Sequence, residues 1–152
     1  MKKVAIIGGG ILGLAIGYKL SLLTSEFGVT VFEKESEVGC HQSGKNSGVL
    51  HCGLNYEPNS LKAKLAVEGI REMILFCKLN EVNFDQCGKI VVATNHDEDK
   101  VLQNIANRGK LNGLKNLKFL NKNEINKREP NIMGLNALLV PEEGIVDYKG
   151  VM

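Results

Sequence analysis

The stretch Lys3-Val4-Ala5-Ile6-Ile7-Gly8-Gly9-Gly10-Ile11-Leu12-Gly13 decides how the rest of the chain is read. Lys3 to Ile7 is a short apolar run rich in β-branched residues, the pattern of a buried strand. Gly8-x-Gly10-x-x-Gly13 follows, and Leu12 to Leu23 is then apolar enough for a buried helix. Gly28-Val29-Thr30-Val31-Phe32-Glu33 reads as a second strand, so strand, helix and strand occupy 33 residues, the size of a compact parallel βαβ unit. An acid, Glu33, stands 20 residues beyond Gly13. A glycine triplet alone is weak evidence. With a strand before it, a helix after it and an acid at that distance, it is the fingerprint of a dinucleotide site.

Each part of the fingerprint has a physical task. Gly8 makes the tight turn off the strand. Gly10 lets the backbone approach a pyrophosphate without a Cβ in the way. Gly13 and Gly17 let the helix lie close on the sheet. The helix N-terminus, at Ile11 and Leu12, offers free N–H groups and a positive dipole end to phosphate charge. Glu33 can accept both hydroxyl hydrogens of an adenosine ribose, with Lys34 beside it. A carboxylate there repels a 2′-phosphate, which argues against NADP.

A simple NAD domain would go on alternating strand and helix after Glu33. This chain enters a polar loop from Gly39 to Gly53 instead, holding Gly39, Gly44, Gly48 and Gly53 with two histidines. Such a loop can run along an extended flavin dinucleotide and offer Gln42, Ser43, Asn46, Ser47 and the Gly48 backbone to it. That favours FAD over NAD. Ser43 and Ser47 also suit plain turn capping.

Beyond the loop, a helix is predicted from Asn59 to Leu79. Asn59 or Ser60 is its cap, and Leu61, Leu65, Gly69, Met73 and Phe76 its core face. Gly69 there implies close approach by another backbone or by the cofactor. Gly88 to Thr94 reads as a strand. His96 to Gly113 is an amphipathic helix with Val101, Leu102, Ile105 and Leu111 inward. Leu117 to Leu120 is a short strand, Asn123 to Arg128 a short helix stopped by Pro130, and Ala137 to Val140 a further strand. Pro141 to Asp147 reads as a loop ending in an N-cap, with only five residues after it. The expected organisation is an FAD-binding part over 1–82, the start of a substrate domain over 83–146, and the beginning of a cut-off helix over 147–152. In fold class this is α/β: a Rossmann-like FAD-binding βαβ unit followed by the opening of an α+β substrate domain, in a truncated chain.

Composition narrows the partners. The chain has 152 residues, 19 basic and 17 acidic, for a net charge of +2, too small and too evenly spread to point to nucleic acid. Four cysteines at 40, 52, 77 and 87 contain no CxxC pair, which suits free thiols in a reducing cytoplasm. The apolar N-terminus imitates a secretory signal, but its glycines have another explanation and no A-x-A-like site follows. Lys19 leaves the run too short to span a bilayer. Cys40-His41 and His51-Cys52 lack the spacing of a zinc site, so no metal is expected.

The segment Gly39-Cys40-His41-Gln42-Ser43-Gly44-Lys45-Asn46-Ser47-Gly48-Val49-Leu50-His51-Cys52-Gly53-Leu54-Asn55-Tyr56 resembles the second signature of the L-2-hydroxyglutarate oxidase/dehydrogenase family. That family belongs to the D-amino-acid-oxidase-like superfamily of FAD enzymes. The resemblance continues through Ser60-Leu61-Lys62-Ala63-Lys64, Cys87-Gly88-Lys89, Val92-Ala93-Thr94, Glu129-Pro130 and Gly144-Ile145-Val146-Asp147-Tyr148, so it runs along essentially the whole chain. It implies oxidation of the C2 alcohol of a 2-hydroxy dicarboxylate, L-2-hydroxyglutarate, to 2-oxoglutarate. A base takes the hydroxyl proton as hydride passes to the flavin, and electrons leave to oxygen or a quinone pool. Histidine suits the base. His51 is preferred to His41 because it nears the end of the loop, and Tyr56 is a substrate contact. Lys62, Lys64 and Lys89 are candidates for the substrate carboxylates. The family's long C-terminal portion has no counterpart here, so the 152 residues are expected to be an N-terminal part, inactive alone. Peripheral membrane contact belongs to the full-length enzyme. The rivals are another superfamily member, such as a glycerol-3-phosphate dehydrogenase or an amino-acid oxidase, and a non-catalytic dinucleotide-binding module.

Overall fold

A computed structural model describes residues 2–23 and 26–152; Met1, Thr24 and Ser25 of the expected 1–82 part lie outside it. Two compact units result, Met1–Gly48 with Asp147–Met152, and Val49–Val146. The first unit's main segment ends at Gly48 and the second begins at Val49. The helix predicted from Asn59 to Leu79 therefore groups with the strands and helices on its C-terminal side.

In the first unit, strand β1 (Lys2–Ile7) leads into helix α1 (Ile11–Leu23), and strand β2 (Phe27–Phe32) returns parallel to β1. The register runs from Lys2 opposite Phe27 to Ile7 opposite Phe32. This is the predicted βαβ unit, with one correction. β1 and α1 are not buried. No residue of α1 is, and Leu12, Ile16, Leu22 and Leu23 are exposed with Ile7 and Phe32. Apolar parallel strands and all-round apolar helices need cover on both sides, and two strands provide one side. The polar loop after β2 holds one 3₁₀ turn, Gln42–Gly44.

The second unit begins with the two-residue strand β3 (Val49–Leu50) and helix α2 (Leu61–Leu79). Ser60 is the cap: its hydroxyl accepts from the Ala63 amide at 3.1 Å. The buried face of α2 is Ala63, Ile70 and Cys77, at seven-residue spacing, and Leu61 and Leu65 are exposed. The predicted face followed the largest side chains, whereas the loop at Gly53 packs on the small ones, Ala63 and Ala66. Gly69 meets nothing within 4 Å, so no other backbone approaches it among the described residues.

Strand β4 (Phe84–Asp85), strand β5 (Lys89–Ala93) and helix α3 (His96–Leu111) come next. Asn95 caps α3 by accepting from the amides of Asp97 and Glu98. Leu102, expected inward, is buried with Ala106 and Gly109, while Val101 and Leu111 are exposed. A Cβ on Gly109 would press on Leu54 and Leu117. Strand β6 (Lys118–Asn121) passes directly into helix α4 (Lys122–Arg128) through a capping box between Asn121 and Glu124. Strand β7 (Asn136–Val140) lies between β5 and β6, antiparallel to both. Leu120, Ile125 and Ala137 form the centre of this core, with Ile90, Val92, Ile132 and Leu139 around it.

The predicted loop over 141–147 contains a strand, β8 (Gly144–Val146), which pairs with β3 on one side and β4 on the other. Three residues with a glycine among them carry no strand period. Gly144 is required by closeness, because a Cβ there would collide with the Asp85 carbonyl. Helix α5 (Tyr148–Val151), capped by Asp147 as predicted, belongs to the first unit.

Candidate functional site

The glycine-rich turn is built from the backbone upward. Gly8 has φ +108°, a conformation L side chains rarely adopt, and its amide donates to the Phe32 carbonyl at 2.7 Å. Gly13 has no room for a side chain: a Cβ would collide with the Gly8 carbonyl. Gly17 would place a Cβ in ordinary contact with Ile6, Val29 and Val31, so the close helix-to-sheet approach is made at Gly13 and not, as expected, at Gly17 as well. The first i→i−4 bond at the start of α1 is Leu14 to Gly10, at 3.0 Å. The amides before it have no helical acceptor. Ile11 finds one outside the helix, because the Ser43 hydroxyl accepts from it at 2.9 Å. Ser43 is thus a remote cap for α1, and Gly10 faces its hydroxyl, since a Cβ there would lie 3.2 Å from Oγ.

Glu33 is held by backbone donors. Its Oε2 accepts from Gly9 at 2.6 Å, and its Oε1 from Lys34 at 2.9 Å and Glu35 at 3.0 Å. The Glu35 and Gly9 amides hold its carboxyl below the usual carboxylate range, with smaller contributions from Lys34 and His41 against a modest burial effect. A carboxylate has about four lone-pair directions. Three are filled, so one, on Oε2, stays free for a ribose hydroxyl.

The loop from Gly39 to Gly48 closes on this turn. The Gly39 amide donates to the Gly9 carbonyl at 3.0 Å. Asn46 donates through Nδ2 to the Ser43 carbonyl at 2.6 Å and accepts from the Gly48 amide at 2.7 Å, which fixes the turn carrying Ser47. Gln42, Asn46, Ser47 and Lys34 are exposed, and Lys34 lies 3.4 Å from Glu35. His41 lies 3.1 Å from the same Glu35 carboxylate. The residues expected to contact the cofactor (Gly8, Gly10, Ile11, Leu12, Gly13, Glu33, Lys34, Gln42, Ser43, Asn46, Ser47 and Gly48) all fall in one unit. A turn open at Gly8, a helix start whose first amides have no helical acceptor and an anionic acid with a spare lone pair fit the adenosine and pyrophosphate parts of FAD.

His51 and Tyr56 belong to the second unit. Beside His51 stands a residue that sequence reasoning missed. Glu143 is 1% exposed, the only buried charged residue among those described. Its Oε2 lies 2.6 Å from Lys89 Nζ, an ion pair rather than a directed hydrogen bond, and 3.5 Å from His51 Nδ1. Its Oε1 accepts from the Cys52 amide at 3.4 Å and from the Cys52 thiol at 3.5 Å. Burial, and then the nearby Glu143 carboxylate, push the Cys52 thiol up to about 12, so it stays protonated and unreactive. Lys89 is engaged by Glu143 and is not a free carboxylate receptor. Lys62 lies 4.4 Å from the centre of the Tyr56 ring, a cation–π contact. The Tyr56 and Gly53 carbonyls both accept from Asn112 Nδ2 at 2.9 Å, which ties the loop to the end of α3. In the sequence, Glu142 and Glu143 look alike. The turn between β7 and β8 separates them: Glu142 accepts from the amides of Lys115 and Asn116, and Glu143 is buried.

Residues 3–152 match the family described as FAD dependent oxidoreductase, and the chain belongs to that family. Within it, the chain is 46% identical over 147 residues to an L-2-hydroxyglutarate dehydrogenase of Indibacter alkaliphilus, covering 97% of this chain and 37% of that protein. It is 45% identical over 150 residues to the mitochondrial L-2-hydroxyglutarate dehydrogenase of Dictyostelium discoideum, covering 97% and 34%. Among solved structures it is similar to the L-alpha-glycerophosphate oxidase of Mycoplasma pneumoniae with FAD bound. That match has a TM-score of 0.83 and 28% identity, and covers 97% of this chain and 40% of the other. The chain spans about a third of the length of the dehydrogenases it matches. No described helix is long and apolar enough to cross a membrane.

Proposed function

We propose that this chain forms the nucleotide-binding N-terminal part of an FAD-dependent enzyme that oxidises L-2-hydroxyglutarate to 2-oxoglutarate. The observation that carries the substrate is the similarity to dehydrogenases of that name along 97% of the chain. When bound, FAD supplies the hydride acceptor. The chain's own residues do the rest. Gly8, Gly10 and Gly13 keep Cβ atoms away from the pyrophosphate, and the amides at the start of α1 face its charge. Glu33 takes a ribose hydroxyl on the free lone pair of Oε2. Lys34, Gln42, Ser43, Asn46, Ser47 and Gly48 line the dinucleotide along the loop. His51 accepts the C2 hydroxyl proton, with His41 the alternative, and Tyr56 contacts the substrate. Electrons leave to oxygen or to a quinone reached by peripheral membrane contact, and the enzyme works in the cytoplasm.

Turnover of L-2-hydroxyglutarate, glycerol 3-phosphate and amino acids by the full-length FAD-loaded protein tests this reading. L-2-hydroxyglutarate is expected to be the preferred substrate by kcat/KM. Good activity on another of these substrates with none on L-2-hydroxyglutarate would overturn it. Bound flavin with no turnover of any substrate would leave a binding module in its place.

A further inference from the structure

We propose that Glu143 is a positioning residue for His51: its buried carboxylate keeps the imidazole proton on Nδ1 and so leaves Nε2 as the proton acceptor. The proposal rests on the reading of His51 as the base, and it begins with strand register. β3 and β8 are antiparallel, with Val49 opposite Ile145 and Leu50 opposite Gly144. His51 directly follows β3 and Glu143 directly precedes β8, so both stand one residue beyond the end of this ladder. The 3.5 Å between Nδ1 and Oε2 therefore lies at the end of a paired segment, where β3 and β8 bring the two residues close. The backbone around Glu143 is tied as well, since its carbonyl accepts from the Gly88 amide at 2.9 Å.

Chemistry then selects the tautomer. A carboxylate withdrawn from water needs donors on its lone pairs. The Cys52 amide and thiol donate to Oε1, while Oε2 has Lys89 Nζ beside it as an ion pair and no hydrogen-bond donor. An unprotonated Nδ1 beside Oε2 would set a nitrogen lone pair against a carboxylate lone pair, so the hydrogen belongs on Nδ1. In the neutral ring Nε2 is then the free acceptor. The His51 side chain is 56% exposed while Glu143 is shut in, so the ring has an anchored edge and an accessible one. Lys89 compensates the buried charge, which lets the carboxylate orient the ring without standing alone in the interior.

The test is nitrogen NMR of protein labelled with ¹⁵N-histidine and loaded with FAD. Three histidines keep the spectrum simple, and His51→Gln identifies the signal. In the native protein, neutral His51 is expected to show the protonated-nitrogen shift at Nδ1. Glu143→Ala is expected to move that shift to Nε2 and to lower kcat about a hundredfold with little change in KM. The double variant Lys89→Met with Glu143→Met replaces the ion pair by apolar groups of similar size and guards against misfolding of the single variant. It should give the same tautomer change. A proton on Nε2 in the native protein, or on Nδ1 in both variants, overturns the proposal. Retained turnover in His51→Gln would instead remove the base, and with it the catalytic meaning of the tautomer, whichever nitrogen carries the proton.

Discussion

Val49–Val146 and the unit made of Met1–Gly48 and Asp147–Met152 are stabilised in different ways. Every buried hydrophobic side chain among the described residues lies in Val49–Val146. There β7 contributes Ala137, Leu138 and Val140, all at 0% exposure. In the other unit Ile7 is 83% exposed and the buried positions are glycines, Gly9 and Gly39. One unit is specified by packing and the other by backbone geometry: a positive φ at Gly8, a missing Cβ at Gly13, and a carboxylate tied to three amides. The shape of the nucleotide turn in this chain thus depends on a few backbone atoms rather than on many packed side chains.

The contrast can be broken most directly at β7. Leu138→Ala should destabilise Val49–Val146 by about 2–5 kcal/mol, the range for a fully buried leucine. Ile7→Ala should stay within about 0.5 kcal/mol, the range for surface changes. Urea unfolding followed through amides of each unit measures both, and equal effects would erase the distinction. Next in size is Gly13→Ala, which forces the Gly8 carbonyl away from the helix start. FAD binding, measured by flavin fluorescence, should weaken at least about tenfold, or 1.4 kcal/mol, while unfolding of Val49–Val146 stays unchanged. The smallest effect is one of pH. The Glu33 carboxyl titrates lower in the folded chain than in the unfolded one. Its contribution is present above the unfolded value, about 4.3, and is lost as pH falls through the folded value. Protection of the Gly9 amide from hydrogen exchange should decline over that acidic range in the native chain, and Glu33→Gln should remove the dependence.

The features legible in the sequence were those with a short period or a fixed spacing. Gly8, Gly10, Gly13 and Glu33 identified the βαβ unit because each is required locally. Ser60, Pro130 and Asp147 marked helix ends for the same reason. The burial of α1, of α2 and of part of α3 departs from the sequence pattern because it depends on what lies opposite, while Leu102 is buried as expected. Leu61 and Val101 look like core in the sequence and are exposed, whereas small residues, Ala63, Ala106 and Gly109, share the buried faces with Ile70 and Leu102. Strands β4 and β8 are two and three residues long and exist only through their pairing. Glu143 is not legible in the sequence because its burial and its closeness to His51 depend on contacts between residues more than 90 positions apart.

Met152 reaches the cofactor loop: its thioether occupies the space that a side chain at Gly39 would need. That contact has a consequence in time. A ribosome completes β1, α1, β2 and the loop long before it delivers residues 147–152, with all of Val49–Val146 made in between. Closing a loop of this size costs entropy that grows only slowly with length, but contacts this distant in sequence form late and slow folding. The glycine turn can take shape early, whereas the far side of the loop is held only after the intervening unit has been synthesised and has brought the chain back.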